Sequence, residues 1–229
     1  CVAYKAKKIV CISKFTINEL QKYIGVDNKK IELVYNGVDD TWFHIDKKEH
    51  IYSVPYFIYV GNIKPHKNLY RLIDAYRMVS CMIKQDLLLV GKKDGFITGI
   101  DDINERIEGI EHRIRFTGYI EDDVLQRYVA QSDGLIFPSL YEGFGLPPLE
   151  AMAAGKKVLA AKIPAVEEVC EGAAIYFDPY NTEDMAEKIR LFADTDMPLN
   201  LLQKKARSYS WDTTVEKMEQ IFLSVLQNR

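Results

Sequence analysis

Residues 134–155 read GLIFPSLYEGFGLPPLEAMAAG, and this stretch decides the fold. The apolar run at 134–137 is typical of a buried strand, and a loop with two glycines follows it. Pro147 stands where the first residue of a helix is expected, and Gly155 is placed to end that helix. The backbone amides of residues 144–146 then have no partner within the helix, so we expect them to bind an anion such as a phosphate oxygen.

Two glutamates in this stretch differ in their expected positions. Glu142 stands in the loop, whereas Glu150 lies about one turn inside the helix, because about 3.6 residues make a turn. A carboxylate accepts two hydrogen bonds from neighbouring hydroxyls, so Glu150 suits a ribose and Glu142 suits a sugar ring. In the alternative interpretation, Glu150 pairs with a lysine and Glu142 faces water. Burying Glu150 beside Leu149 and Met152 without a partner would be costly, which favours a ligand contact.

Strand and helix signals alternate along the chain, which predicts an α/β protein with a doubly wound, parallel, Rossmann-like sheet. The apolar runs have little period-two character and indicate strands that are covered on both faces. We predict strands at 8–12, 31–35, 56–60, 86–90, 114–117, 134–137, 157–160 and 174–177. We predict helices at 16–24, 68–83, 101–109, 121–131, 147–154, 164–171, 182–193, 199–208 and 212–227. Thr16 and Glu19 are expected to form a capping box in the first helix, and Asn68 is expected to cap the second.

The alternation breaks at 36–55, where Asn36-Gly37 is a turn signal and the following residues are polar and aperiodic. The strand–helix–strand unit before the break is too small to form a core alone. A complete six-stranded domain follows the break. The sequence therefore predicts an N-terminal unit, a linker, a large domain and a last helix, at 1–40, 41–55, 56–210 and 211–229.

A second loop with binding chemistry follows the strand predicted at 56–60. Gly61 permits a tight turn close to a ligand. Asn68 is expected to begin a helix whose N-terminus favours anions, and Lys67 stands just before it as a point charge suited to a phosphate. The alternative interpretation is a solvated lysine in an ordinary strand–helix loop.

The composition narrows the kinds of partner. The net charge of −3 gives no reason to expect nucleic acid. A lysine cluster at Lys5, Lys7 and Lys8 fits either a peripheral membrane contact or a solvated strand entry. No signal peptide is visible, and no apolar run approaches the ~20 residues needed to span a bilayer. The cysteines lack a Cys-x-x-Cys pair and are interpreted as small buried side chains in a reducing cytoplasm, at Cys1, Cys11, Cys81 and Cys170.

The block from Phe137 to Gly155, with its Glu-x7-Glu pattern, resembles family four of the retaining glycosyltransferases with the GT-B fold (glycosyl transferases group 1). Three further motifs resemble the same family in the same order: Val60-Gly61-Asn62 with Lys67-Asn68, Phe116-Thr117-Gly118-Tyr119-Ile120, and Ser210-Trp211-Asp212. The resemblance covers essentially the whole chain. It implies the C-terminal, donor-binding half of such an enzyme. Residues 1–40 would be a remnant of the N-terminal Rossmann-like domain, and the helix at 211–229 would cross back toward that domain.

The resemblance also implies a role for each matching residue. Lys67 would contact the diphosphate of a nucleoside diphosphate sugar, Glu142 would hold hydroxyls of the donor sugar near the anomeric carbon, and Glu150 would hold the ribose. Lys67 and Glu142 are the expected catalytic residues. Many members of the family carry Arg where this chain has Asn62, so one positive charge is missing unless Lys64 replaces it. Further donor contacts are expected from Gly61, Asn62, Tyr119, Ile120, Phe144, Gly145 and Leu146.

The same resemblance implies an enzyme without cofactor or metal, whose donor is a GDP- or UDP-sugar or a similar compound. A lysine and a helix dipole can stabilise the departing nucleoside diphosphate without a cation. Asp194-Thr195-Asp196 matches the Asp-x-Asp string of metal-dependent glycosyltransferases, but we interpret it as a solvated helix end far from the loops above. His66 lies in the phosphate loop and is expected either to bond within its own loop or to reach the donor. The histidines lack metal-ligand spacing, at His44, His50, His66 and His112.

The expected reaction transfers a hexose, mannosyl- or rhamnosyl-like, to a saccharide or lipid-linked acceptor in surface polysaccharide or glycolipid synthesis. The chain begins at Cys1 and opens on a strand, so we expect it to be part of a longer protein. The acceptor would bind the missing N-terminal domain, which predicts donor binding without turnover by this chain alone. The remnant unit would expose apolar surface and favour self-association. We expect a cytoplasmic location, with contact at the inner face of the membrane.

Two alternatives to this function remain. One is a non-catalytic nucleotide-sugar-binding module. The other is a nucleotide-sugar 2-epimerase, which shares the GT-B fold. The residues that flank Glu142 and Glu150 favour a transferase over an epimerase.

Overall fold

A computed structural model describes residues 2–46, 51–91 and 100–227 of the chain. Strands and helices alternate along it. Strands β1 to β8 are Ile9–Cys11, Ile31–Leu33, Tyr56–Val60, Asp86–Val90, Ile114–Gly118, Gly134–Phe137, Val158–Ala161 and Ile175–Phe177. Helices α1 to α10 are Val2–Lys5, Lys14–Tyr23, Leu69–Val79, Ile100–Ile107, Asp122–Gln131, Leu146–Ala153, Pro164–Cys170, Thr182–Asp194, Leu199–Arg207 and Trp211–Gln227.

Six strands form one sheet in the order β5-β4-β3-β6-β7-β8, and every neighbouring pair in it is parallel. This arrangement confirms the predicted doubly wound, Rossmann-like sheet. Strands β1 and β2 form a separate parallel pair, with α2 between them in the chain. The pair and its helix are the small strand–helix–strand unit that the sequence predicts.

The core surrounds the central strands of the six-stranded sheet, because their side chains are apolar on both faces. Phe57 on β3 and Phe137 on β6 are almost completely buried. Phe57 contacts Phe192 of α8 at a ring-centroid distance of 5.1 Å. Helix α3 packs against α8, and α6 packs against α9. Since each fully buried side chain of this size contributes about 1.5–3 kcal/mol, this layered core holds the ends of the strands in fixed positions.

The capping box of α2 differs from the prediction. Ser13 and Thr16 form it: Ser13 Oγ accepts from the Thr16 amide at 3.0 Å, and Thr16 Oγ1 accepts from the Ser13 amide at 3.1 Å. The pairing of Thr16 with Glu19 was therefore wrong. Ser13 stands between β1 and the helix, so its hydroxyl is the first that can reach the free amides.

Part of the region predicted to be a linker, 41–55, packs against the core of the large domain. A short 3-10 helix spans Asp40–Phe43, and Trp42 within it is buried in the main core. An indole of this size is stable in the core because it removes a large apolar surface from water. Residues 47–50, with His50, lie outside the described residues.

The described chain opens on helix α1, not on a strand, and Cys1 lies outside the described residues. Cys81 is exposed, because α3 ends at Val79 and leaves Cys81 in a turn, whereas Cys11 and Cys170 are buried as expected. None of the helices within the described ranges combines the length and the apolar character that crossing a membrane requires.

Candidate active site

The loops that follow β3 and β6 lie side by side, because these two strands are neighbours at the centre of the sheet. Strand β3 pairs with β6. Strands β4 and β5 lie on one side of this pair, and β7 and β8 lie on the other, so the order of the strands reverses direction between β3 and β6. The crevice beyond the carboxyl ends of strands at such a switch point is where α/β proteins bind ligands. The loop after β3 carries Lys67, and the loop after β6 carries Glu142. The topology therefore places both residues at the expected ligand crevice.

Lys67 and Glu142 form an ion pair at this point. The Lys67 Nζ atom lies 2.5 Å from Glu142 Oε1, and the two side chains are 20% and 17% exposed. The same ammonium lies 5.7 Å from the centroid of the Phe137 ring. Neither the solvated lysine nor the water-facing glutamate of the alternative interpretations describes this geometry. The site combines a partly buried cation and a partly buried carboxylate in direct contact.

Tyr59, near the end of β3, lies beneath the turn that begins the Lys67 loop. Its hydroxyl donates a hydrogen bond to the Asn62 carbonyl at 3.2 Å, and the residue is almost fully buried. Burial and then the negative charge of Glu142 raise the pKa of Tyr59, so its hydroxyl stays neutral. A Cβ atom on Gly91 would lie 2.0 Å from the Gly61 carbonyl oxygen. The hydrogen bond from Tyr59 thus holds the Gly61–Asn62 turn, and the turn packs so closely against Gly91 that a side chain there would clash with it.

Hydrogen bonds also join the loops that carry Lys67 and Glu142. The Leu140 amide donates to the His66 carbonyl at 2.7 Å. Asn68 does not cap α3 with its side chain, as the sequence predicted, but donates its Nδ2 hydrogens to the carbonyls of Pro138 and Pro179 at 3.1 and 2.9 Å. Its backbone is left-handed, which turns the side chain away from the helix start.

The start of helix α6 has the open amides that the sequence predicts. Gly145 precedes the helix with a φ of 130° and provides no side-chain cap. The amides of residues 144–146 make no hydrogen bond with any of the described residues, and the two prolines that follow have no amide hydrogen. Amides of this kind at a helix N-terminus favour an anion. The Phe144 ring packs against Tyr35 and Tyr209, at centroid distances of 6.1 and 5.7 Å, and so anchors the loop.

Glu150 lies inside α6, where it is partly buried. Within the described ranges it forms no ion pair, so the alternative pairing with a lysine is not found there. Burial raises the pKa of Glu150 to about 7, and the nearby charge of Asp122 acts in the same direction. The raised pKa favours the protonated form of this carboxyl group, which can donate as well as accept a hydrogen bond with a hydroxyl-bearing ligand.

The third candidate loop follows β5. Gly118 adopts a φ of 73°, and its carbonyl accepts a hydrogen bond from the Gly91 amide at 3.1 Å. Tyr119 is 62% exposed, and Ile120 packs partly against the core. The Tyr119 hydroxyl lies 3.4 Å from the Glu121 carboxylate within the same loop. The loop thus carries an exposed aromatic ring next to a residue that is hydrogen-bonded to Gly91.

The N-terminal unit approaches the site through a contact that the sequence did not reveal. The Ser13 hydroxyl donates to the Gly143 carbonyl at 2.7 Å, next to Glu142 in the chain. The C-terminal helix approaches the same unit, because Thr214 Oγ1 donates to the Tyr35 carbonyl at 2.7 Å. Ser13 had one signal, its place between an apolar run and a helix with Thr16 three residues later. No local pattern connects Ser13 with Gly143, which lies 130 positions away.

The Asp-x-Asp string lies at the end of α8, beside a lysine. Lys157 Nζ donates to the carbonyls of Phe192 and Thr195 at 2.5 and 2.7 Å. Burial lowers the pKa of Lys157, and neighbouring carboxylates that include Asp194 and Asp196 oppose this shift. These aspartates therefore lie close enough to an ammonium group to influence its charge. Among the described residues, no cluster of three His, Cys, Asp or Glu side chains could hold a metal ion.

The six-stranded parallel sheet with its flanking helices has the fold of the GT-B glycosyltransferases. A glycosyltransferase from Rickettsia africae ESF-5 has the same fold, with a TM-score of 0.82 and 21% identity over 99% of this chain and 65% of its own. Anabaena Alr3699/HepE, solved in complex with UDP and glucose, gives a TM-score of 0.81 and 19% identity over 97% of this chain and 65% of its own.

The sequence model of the glycosyl transferases group 1 matches residues 40–209, and that of glycosyltransferase family 4 matches residues 2–42. The chain belongs to the glycosyl transferases group 1, as its motifs predict. A curated relative is the O-antigen chain mannosyltransferase RfbU of Salmonella typhimurium, which is 26% identical over 208 residues. That match covers 91% of this chain and 57% of RfbU, so the chain spans little more than half of the relative's length.

Proposed function

We propose that this chain is the donor-binding part of a retaining hexosyltransferase that uses a nucleoside diphosphate sugar. The observation that carries the proposal is the meeting of Lys67, Glu142 and the open start of α6 at the switch point of the sheet. Membership of the family supports glycosyl transfer. The proposed sugar is mannosyl- or rhamnosyl-like; the name of RfbU supports the mannosyl group, and the UDP bound by the Anabaena protein supports a nucleotide donor.

In this proposal the ion pair is exchanged when the donor binds. The ammonium of Lys67 moves from Glu142 to the diphosphate, which also accepts hydrogen bonds from the amides of Phe144, Gly145 and Leu146. The freed carboxylate of Glu142 accepts hydrogen bonds from hydroxyls of the sugar. The ion pair of the free protein is thus replaced by two contacts with the donor, so binding leaves neither charge unpaired.

The remaining donor contacts involve the nucleoside and the flank of the diphosphate. Glu150 binds the ribose hydroxyls, and the loop with Tyr119 and Ile120 faces the base. The turn at Gly61 and Asn62 approaches the diphosphate closely because it carries no bulky side chain. Asn62 adds no positive charge.

The chemistry follows from stabilising the leaving group. The bond between the anomeric carbon and the diphosphate oxygen breaks, and an acceptor oxygen bonds to the same face of the oxocarbenium-like sugar. The acceptor's proton passes to the departing diphosphate. Lys67 and the dipole of α6 stabilise the negative charge that develops on the diphosphate. These two sources of positive potential support a reaction that needs no metal and no cofactor.

The acceptor is a saccharide or a lipid-linked saccharide, bound between this domain and further protein on the side of the N-terminal unit. Several apolar side chains of α10 are exposed, among them Phe222 and Leu223, and they support self-association or docking to more protein. We place the enzyme in the cytoplasm, at the inner face of the membrane, where its basic N-terminal segment supports a peripheral contact. Nucleic acid is not among the proposed partners.

The test is isothermal titration calorimetry of the chain with a panel of UDP- and GDP-sugars, with and without EDTA. We expect one nucleotide class to bind, equally well in EDTA, and Lys67→Ala and Glu150→Ala each to weaken that binding. Unchanged affinity in both variants would remove the assigned roles. Incubation with the bound donor, followed by product analysis, separates the alternatives: a 2-epimer indicates an epimerase, and unchanged donor indicates a binding part or a non-catalytic module. Restored transfer with the N-terminal half of a relative then supports the transferase.

A further inference from the structure

Asn68 has a backbone conformation that is uncommon for a residue with a side chain. Its φ and ψ are 58° and 29°, in the left-handed region, and it is 7% exposed. Within the described ranges, only Asn68 and Glu171 have a positive φ without being glycine. Asparagine tolerates this region better than most residues, but glycine adopts it more readily still. The contacts of the side chain must therefore explain why an asparagine serves here.

The side chain of Asn68 uses its donors and its acceptor together. The Nδ2 group donates to the Pro138 carbonyl at 3.1 Å and to the Pro179 carbonyl at 2.9 Å. The Oδ1 atom accepts from Arg71 Nη1 at 2.7 Å. Pro138 directly follows β6, and Pro179 follows β8. A single buried amide thus ties the loop after β3 to two other loops at the carboxyl edge of the sheet.

Hydrogen bonds of its two neighbours, His66 and Asn68, hold the backbone of Lys67 in place. The His66 carbonyl accepts from the Leu140 amide at 2.7 Å, and Asn68 Nδ2 donates to Pro138. Both neighbours of Lys67 are therefore bonded to segment 138–140, which leads directly to Glu142. The backbone of Lys67 is fixed to the backbone that carries Glu142, independently of the ion pair between their side chains.

From this geometry we infer that Asn68 is a positioning residue that sets where the Lys67 ammonium meets a ligand. The inference rests on the proposed function. A point charge discriminates between ligands only if it lies within contact distance of the group that differs, because Coulomb energy falls with distance. A nucleoside diphosphate differs from the monophosphate by the phosphate that Lys67 would contact. Asn68 therefore governs the preference for diphosphate over monophosphate, not the affinity for the nucleoside.

The experiment measures dissociation constants for UDP, UMP, GDP and GMP in four proteins: the wild type, Asn68→Asp, Asn68→Gly and Gln85→Glu. Asn68→Asp keeps the shape and the tolerance for left-handed backbone but loses both donors. Asn68→Gly removes the side chain without straining the backbone, and so covers the case in which the first variant folds poorly. Gln85→Glu is the matched control: a buried amide at the opposite edge of the sheet, which donates to Asp133 at 2.8 Å.

We expect the diphosphate-to-monophosphate affinity ratio to fall about fivefold or more in both Asn68 variants, the size expected from losing one or two hydrogen bonds that hold a charge in place. Gln85→Glu should lower Tm and leave the ratio unchanged. A ratio that stays at the wild-type value in both Asn68 variants would overturn the inference alone. A wild-type chain that does not prefer diphosphate would overturn the proposed function, and the inference with it.

Discussion

The ammonium of Lys67 and the carboxylate of Glu142 are in contact at 2.5 Å although 75 positions separate them in the chain. The contact arises because β3 and β6 are neighbours at the centre of the sheet. Both side chains are mostly shielded from water, so removing one of them leaves an incompletely compensated charge. A ligand complementary to this pair offers an anion to the lysine and hydrogen-bond donors to the glutamate. The proposed donor, a nucleoside diphosphate sugar, has both groups.

The first prediction concerns the charge of Lys67. Lys67→Ala should weaken binding of the preferred nucleoside diphosphate by about tenfold to a hundredfold, because a hydrogen bond to a charged group contributes about 1.5–3 kcal/mol. Lys64→Ala is the comparison, because Lys64 is an exposed lysine of the same loop and the one that would replace the charge missing at Asn62. Calorimetry at fixed ionic strength measures both. Equal losses in the two variants would mean that only the general positive potential of the loop matters.

The second prediction concerns stability and the raised pKa of Glu150. A carboxyl group whose pKa is higher in the folded state than in the unfolded state binds more protons when folded. The free energy of unfolding must then fall as pH rises between the ordinary glutamate pKa and about 7. We expect the Tm of the wild type to decrease relative to that of Glu150→Gln from pH 5 to pH 8. The variant removes this titration without changing the shape of the side chain.

A parallel pair of Tm curves for the wild type and Glu150→Gln would show that the burial of Glu150 does not perturb its titration. Glu167→Gln is a suitable control, because Glu167 is a partly exposed glutamate on α7. It controls for the general effect of replacing a glutamate by a glutamine. Tm measured by differential scanning calorimetry in buffers of equal ionic strength gives the comparison.

The sequence predicted the doubly wound sheet because its buried strands have strong apolar runs and its helices have clear ends. The run at 134–137 and the helix that begins near Pro147 differ from their observed bounds by at most one residue. The prediction was weaker where the decisive contact is distant. Asn68 has the sequence of an N-cap, yet its side chain bonds to Pro138 and Pro179, which only the assembled sheet brings near.

In the candidate site, too, the sequence predicted the local positions of residues but not their distant contacts. Periodicity and turn signals placed Glu142 in a loop and Glu150 on a helix, but they gave no reason to expect the ion pair of Lys67 with Glu142. The burial of Tyr59 beneath the Asn62 carbonyl is equally invisible in the sequence, since an aromatic residue in a strand predicts only core packing. Local chemistry is encoded locally, whereas the partners of a side chain depend on the order of the strands.

The third prediction tests the hydroxyl of Tyr59. Tyr59→Phe removes the hydrogen bond to the Asn62 carbonyl and should loosen the turn that approaches the diphosphate. We expect the affinity for the preferred nucleoside diphosphate to fall about threefold to tenfold, from one hydrogen bond of about 1 kcal/mol. Tyr56→Phe is matched to it: Tyr56 is on the same strand, is equally buried, and donates to the Tyr128 carbonyl at 2.7 Å. If both variants lose the same affinity, the loss results from a general disturbance of β3 and not from the loss of the hydrogen bond to the turn.

Glu168 on α7 connects the large domain to the N-terminal unit. Its carboxylate accepts hydrogen bonds from the amides of Lys14 and Phe15, at 2.8 and 3.2 Å, at the start of α2. It also accepts from the Tyr35 hydroxyl at 2.7 Å, and burial followed by this bond raises the pKa of Tyr35. A carboxylate at a helix N-terminus is favourable for the free amides and the helix dipole. Glu168 thus supplies, from another unit, a cap for α2 in addition to Ser13.

The fourth prediction follows from that bridge. Glu168→Ala should free the amides of Lys14 and Phe15, and hydrogen exchange measured by mass spectrometry should become faster at the start of α2 while the strands of the large sheet stay protected. Because hydrogen bonds to a charged group contribute about 1.5–3 kcal/mol each at most, the protection of these amides should fall roughly tenfold or more. Glu167→Ala, one position earlier on the same helix, should leave exchange at α2 unchanged. Unaltered exchange in Glu168→Ala would show that the capping box of Ser13 and Thr16 holds α2 in place without help from the large domain.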